Sequence, residues 1–303
     1  MNLIEQATRR LEELRRAGIQ IPTAPLQATT PDATVMRMAG AMPATNVPDV
    51  ERAPEPANDR SIGKTSRQVT IDLDRLALQG YLTPLLSDRV LAEQIRVIKQ
   101  AVLKNVEAAG ERGLRRNLVL VTSAVSGEGK TFFSMNLAMS LAMEVDRHAL
   151  LVDADVLRPS VLQRYAIEPG PGLMELAARP ELDVSDVLLR TSVPKLSVLP
   201  AGQPDQKSPE LLSSAYIDRL LTELSERYAD RLVIFDAPPI LVSSGTRHLA
   251  TRVGQVVMVV QADESDERSV AQAFEAVEAC PIVSSVLNRC PSPDAGVYDY
   301  YAS

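Results

Sequence analysis

From residue 118 onward, short apolar runs alternate with amphipathic stretches. "LVLVTS", "HALLVDAD", "KLSVLPAG", "LVIFDAPP", "GQVVMVVQAD" and "IVSSVLNR" read as strands, and "KTFFSMNLAMSLAMEV", "AYIDRLLTELSERY" and a segment near 266–278 as the helices between them. Strands apolar on both faces need helices on both sides, so the pattern predicts an α/β fold built on a doubly wound, mostly parallel sheet. Ligands in such folds bind beyond the carboxyl ends of the strands. Upstream, "SDRVLAEQIRVIKQAVLKNVEAAG" predicts a helix with Ser87 as its cap. Its apolar face carries Val90, Leu91, Ile95, Ile98, Val102 and Val106, and Glu93, Arg96 and Lys99 are assigned to the opposite, charged face. Residues 2–17 predict a further amphipathic helix, capped by Asn2 with Glu5 in capping-box position, striped by Leu3, Ala7, Leu11 and Leu14, and stopped by Gly18.

Composition divides the chain further. Seven of its 21 prolines fall between residues 20 and 65 among Ala, Thr and Asn, a stretch too poor in large apolar side chains to order itself. The expected organisation is therefore an N-terminal helix at 1–18, a flexible linker at 19–66, one α/β domain at 67–290 and a flexible tail at 291–303. A formal charge of -7 provides no basic field for nucleic acid. Cys280 and Cys290 match neither a metal pattern nor a disulfide framework. No apolar run approaches the ~20 residues of a membrane span, so a cytoplasmic protein is expected. The last residues, "GVYDYYAS", hold three of the chain's seven tyrosines with nothing to pack them.

The chemistry concentrates where strands end. In "TSAVSGEGKTFF", Gly127 and Gly129 let backbone N–H groups close around a phosphate and the following helix points its positive end there. Lys130 supplies a cation for the β and γ phosphates and Thr131 a hydroxyl for Mg²⁺, which makes this a Walker A loop with Ala124 replacing its first glycine. Ser126, Gly127, Glu128, Gly129, Lys130, Thr131 and Phe132 are the expected nucleotide contacts. Asp153 and Asp155 close the second strand, and Asp236 closes another before Pro238 and Pro239. Three carboxylates beside a phosphate loop suit phosphoryl transfer, which needs a metal held against the phosphates and a group to orient or deprotonate the attacking oxygen.

Over residues 68–303 these motifs resemble the bacterial tyrosine kinases of capsular and exopolysaccharide synthesis, a branch of the deviant Walker P-loop NTPases. "TSAVSGEGKT" corresponds to Walker A, "LLVDAD" to the family's second acidic motif, "VIFDAPP" to Walker B, and the terminal tyrosines to its phosphorylated cluster. "VTIDLDRLALQGYLTP" and "LIEQATRRLEELRRAG" look most like autokinases that accompany exosortase-type exopolysaccharide loci.

The resemblance implies ATP and Mg²⁺, with Lys130, Asp153, Asp155 and Asp236 catalytic, Thr131, Asp155 and Asp236 at the metal, and Asp153 taking the tyrosine proton. It implies Tyr298, Tyr300 and Tyr301 as acceptors, modified between subunits of a homo-oligomeric ring, and Asn288 near the base. The family's ExxRxxR subunit contact corresponds to Glu93, Arg96 and Lys99, where Lys cannot offer arginine's planar fork. A separate membrane-embedded polysaccharide copolymerase is the implied partner, recruiting the protein to the inner face of the cell membrane. Ser126 stands where the family commonly has Pro, and Arg158 lies one residue later than the family's arginine.

Two other functions fit parts of the pattern. A Min/Par-type ATPase switch shares the fold, but its signature lysine five residues before Lys130 is here Val125, and the tail is no amphipathic helix. A nucleotide-regulated scaffold for polysaccharide assembly is the other. Tyr81 is an outside acceptor candidate for which packing is the favoured role.

Overall fold

The computed structural model describes residues 66–85, 88–108, 115–179, 181–203 and 215–290. The N-terminal helix, the linker, Ser87 and the tyrosine tail lie outside the described residues.

Every strand expected from the apolar runs is present: β2 Leu118–Ser123, β3 His148–Asp153, β5 Leu196–Leu199, β6 Arg231–Asp236, β7 Gln255–Gln261 and β8 Val283–Asn288. Two three-residue strands join them, β1 Arg67–Val69 and β4 Leu189–Thr191. The eight strands run in the order β1-β4-β5-β3-β6-β2-β7-β8, parallel throughout except for β4 against β5. β2, β3 and β6 are buried along nearly their whole length, which is why they read as unbroken apolar runs. Alternate residues feed two cores, Leu118 and Leu120 on one face of the sheet and Val119 and Val121 on the other.

The helices α1 Leu73–Leu78, α2 Arg89–Ala108 and α3 Lys130–Ala142 position the site. At the start of α2, Asp88 Oδ1 accepts from the Val90 N–H at 2.8 Å. Asn136 joins the α1 segment to α3: its Oδ1 accepts from the Leu82 N–H at 2.7 Å and its Nδ2 donates to the Phe132 carbonyl. Tyr81 is thereby held against the start of α3, its ring 5.0 Å from that of Phe132. A packing role for Tyr81 is what its 6% exposure shows.

The polar face expected for α2 needs correction. Glu93 and Arg96 are exposed and paired at 2.7 Å, but Lys99 is only 5% exposed. Four residues after Ile95 and three before Val102, Lys99 belongs to the buried stripe. Its Nζ meets Glu144 Oε1 at 2.5 Å and the Ser140 carbonyl at 3.2 Å, tying α2 to the end of α3. Truncating Lys99 strips packing from its stem and leaves Glu144 without its cation. Lys99→Ala is expected to lower stability by about 2–3 kcal/mol, below the full cost of a buried pair because Glu144 keeps some solvent, as read by urea denaturation. A residue serving only a subunit contact would leave monomer stability unchanged.

Candidate active site

The loop after β2 turns into α3 through Gly127 and Gly129, with φ of +95° and +97°. A Cβ on Gly129 would lie 2.0 Å from Asn288 Nδ2, so glycine is needed there for space as well as for backbone conformation. Gly129 gives α3 no side-chain cap, which leaves the first N–H groups of a 13-residue helix directed at the cleft in front of it. The loop is braced from behind. Glu128, 2% exposed, accepts from the Val125 N–H at 2.8 Å and from the Ser265 hydroxyl. Asn288, at the end of β8, donates to the Glu128 carbonyl at 2.8 Å.

The cleft measures about 860 Å³. Ser126, Gly127, Gly129, Lys130, Thr131, Phe132, Asp155 and Asn288 line it, while the Glu128 side chain turns into the brace. Lys130 Nζ lies 3.6 Å from Asp155 Oδ2.

The carboxylates are brought together by strand register. β3 and β6 are parallel neighbours with Asp153 opposite Asp236, each 1% exposed. Burial, then the nearby Asp236 charge, pushes the Asp153 carboxyl up to about 7, against the opposing pull of the Val161 and Ser160 N–H groups that its Oδ2 accepts at 3.1 Å each. Burial also raises Asp236, to about 6, opposed by hydrogen bonds from Thr131 and Ser134 and by the charge of Lys130. Asp153 opens on a smaller cavity of about 390 Å³ that shares Arg75 and Gln163 with the main cleft.

The structure thus gathers Lys130, Thr131, Asp153, Asp155 and Asp236. Glu93, Arg96 and Lys99 lie on α2, and none of them lines the cleft. Sequence reasoning missed Arg164, whose Nη1 donates to the Tyr81 hydroxyl at 2.8 Å, and Ser265. Neither belongs to a local motif, and both reach the site only through tertiary packing.

Hard oxygen donors at Thr131, Asp155 and Asp236 suit Mg²⁺, which takes one or two carboxylates and otherwise keeps water and phosphate. Among the described residues no group of three or more His, Cys, Asp or Glu is arranged to hold a metal ion.

No family model matches the chain. It is 29% identical over 215 residues to the tyrosine-protein kinase YwqD of Bacillus subtilis, covering 70% of this chain and 86% of that protein. It is 34% identical over 155 residues to the tyrosine-protein kinase ptk of Acinetobacter johnsonii, covering 51% of this chain but spanning only 20% of that longer protein. Among solved structures, the BceF tyrosine kinase domain superposes with a TM-score of 0.59 at 26% identity, over 76% of this chain and 94% of that one. The phosphate loop and the paired acidic strand ends thus stand in a chain whose relatives in sequence and structure are bacterial tyrosine-protein kinases.

Proposed function

We propose that the chain is an autokinase that moves the γ-phosphoryl group of ATP onto Tyr298, Tyr300 and Tyr301 of a neighbouring copy. The observation that carries this reading is the placement of two unlike groups: Lys130 paired to Asp155 inside the cleft, and Asp153 buried beside it with its proton affinity raised to about 7. Lys130 and the helix N–H groups bind and orient the triphosphate. Asp153 accepts the phenolic proton, the freed oxygen bonds to the γ phosphorus, the bond from that phosphorus to the bridging oxygen breaks, and ADP departs with the electron pair. Mg²⁺, held by Thr131, Asp155 and Asp236, would neutralise phosphate charge.

A kinase of this kind acts on exopolysaccharide polymerisation and export through a separate membrane-embedded copolymerase, as in exosortase-linked loci. That partner would hold it at the inner face of the membrane; no described helix is long and apolar enough to cross one. Each phosphate adds about -1.5 to -2 charges. On a chain already at -7, successive transfers would loosen a homo-oligomeric ring, in which Glu93 and Arg96 remain on the exposed side of α2.

Incubation with ATP and Mg²⁺ followed by mass spectrometry tests the reading. Phosphotyrosine at Tyr298, Tyr300 or Tyr301 is the expected result. ATP turnover with an unmodified tail would overturn it in favour of a Min/Par-type switch, and no turnover at all in favour of a scaffold.

A further inference from the structure

Cations dominate the cleft. Arg75, Lys130, Arg158, Arg164 and Arg289 line it, and Asp155 is the one carboxylate among its described lining residues. Lys130 is matched to Asp155, and Arg289 Nη1 donates to Gln261 Oε1. The other three arginines come from elements other than the phosphate loop, Arg75 from α1 and Arg158 and Arg164 from the segment after β3. Arg158 and Arg164 follow β3, whereas Arg289 follows β8, and the strand order places β3 and β8 on opposite sides of β2, which carries the loop. Arg75 lines both the main cleft and the smaller cavity that reaches Asp153. All three are exposed, and Arg75 and Arg158 make no side-chain hydrogen bond or ion pair with a described residue.

Three guanidinium groups around the approach to a proton acceptor repel one another, and a planar fork of this kind suits a carboxylate or a phosphate. The tail offers such a group: Asp299 lies between Tyr298 and Tyr300.

We infer that Arg75, Arg158 and Arg164 form an acceptor-side anion subsite, which holds a negative group next to the tyrosine being phosphorylated. This deepens the autokinase reading and rests on it. The anion has two sources, the Asp299 carboxylate, or the phosphate left on one tyrosine by an earlier transfer.

The test pairs two full-length chains. One carries Tyr298→Phe, Tyr300→Phe and Tyr301→Phe and serves as enzyme; the other carries Lys130→Met and serves as acceptor. If Asp299 is the source, adding Arg75→Ala and Arg158→Ala to the enzyme is expected to raise the KM for the acceptor roughly tenfold, while with either source the KM for ATP stays within about twofold. If Asp299 is the source, Asp299→Asn in the acceptor raises KM several-fold with the intact enzyme and adds nothing with the arginine variant. If phosphate is the source, Asp299→Asn has no effect, and the arginine variant accumulates singly phosphorylated acceptor. A raised KM for ATP with an unchanged acceptor KM would assign the arginines to the nucleotide and overturn the inference, as would the absence of either acceptor effect. Failure of the unaltered enzyme to form any phosphotyrosine would instead defeat the autokinase reading.

Discussion

Asp153→Asn is expected to lower the rate of tyrosine phosphorylation by roughly 10²–10⁴, the range for loss of a positioned proton acceptor, with the affinity for ATP little changed. Asp153 does not line the nucleotide cleft, so its loss should appear in kcat rather than in nucleotide binding. The pH profile carries the sharper signature. A base works in its ionised form, and this carboxyl is raised to about 7 by burial and by the Asp236 charge. Activity of the unaltered protein should therefore rise with pH through about 7 and be lost below it, and the variant should lose that limb. Stability runs the other way. A carboxyl whose folded pKa is raised stabilises the fold while protonated, so the contribution of Asp153 is present below the ordinary carboxylate range and disappears as pH rises to about 7. The amide also alters the hydrogen bonding around this side chain. Asp153 accepts N–H groups on both oxygens, from Asp155 on Oδ1 and from Ser160 and Val161 on Oδ2. An amide turns one of those positions into a donor facing a donor. ATP affinity thus has to be measured alongside rate: a combined loss of both would point to collapse of the loop after β3 rather than to a missing base.

The fold was legible where burial is uniform. β2, β3 and β6 are covered on both faces, so their apolar runs announced a parallel sheet and placed Asp153 and Asp236 at its carboxyl edge. β1 and β4, three residues each, carry too few positions to show any period. The antiparallel pairing of β4 with β5 is fixed by a chain reversal around Lys195, at φ +67°, which no apolar pattern records. Lys99 was misplaced for a different reason. Its residue type suggested the solvent face, while its spacing from Ile95 and Val102 already put it on the buried one, and Glu144, 45 positions further on, provides the charge that makes burial tolerable. The candidate catalytic groups were legible because each sits in a short motif at a strand end. Asn288, expected near a nucleotide base, lines the cleft and also forms the brace behind Gly129, across 160 residues of sequence. Tyr81, Phe132 and Arg164 likewise meet only through the fold.

Lys130→Met is expected to abolish tail phosphorylation, a loss of about 10³-fold or more, because catalysis of phosphoryl transfer rests chiefly on positioning and on charge held against the phosphates. Methionine keeps an unbranched apolar stem of similar reach at a position only 12% exposed, so α3 should still begin at the same residue and circular dichroism should be unchanged. The electrostatic consequences extend past the nucleotide. Lys130 neutralises Asp155 at 3.6 Å and is one of the groups that hold Asp236 down against its burial. Without it Asp155 loses its paired cation and Asp236 a charge that lowers it, so Asp236 should bind its proton more tightly still, weakening any Mg²⁺ site that needs it ionised. The variant's own tail is nevertheless intact. Mixed with a catalytically competent chain whose tail tyrosines are Phe, the Lys130→Met chain should become phosphorylated, at a rate that rises with the concentration of the competent partner. Phosphate that never appears on the Lys130→Met tail, although the unaltered chain modifies itself, would mean that each active site serves only its own terminus, and transfer between neighbours would have to be abandoned.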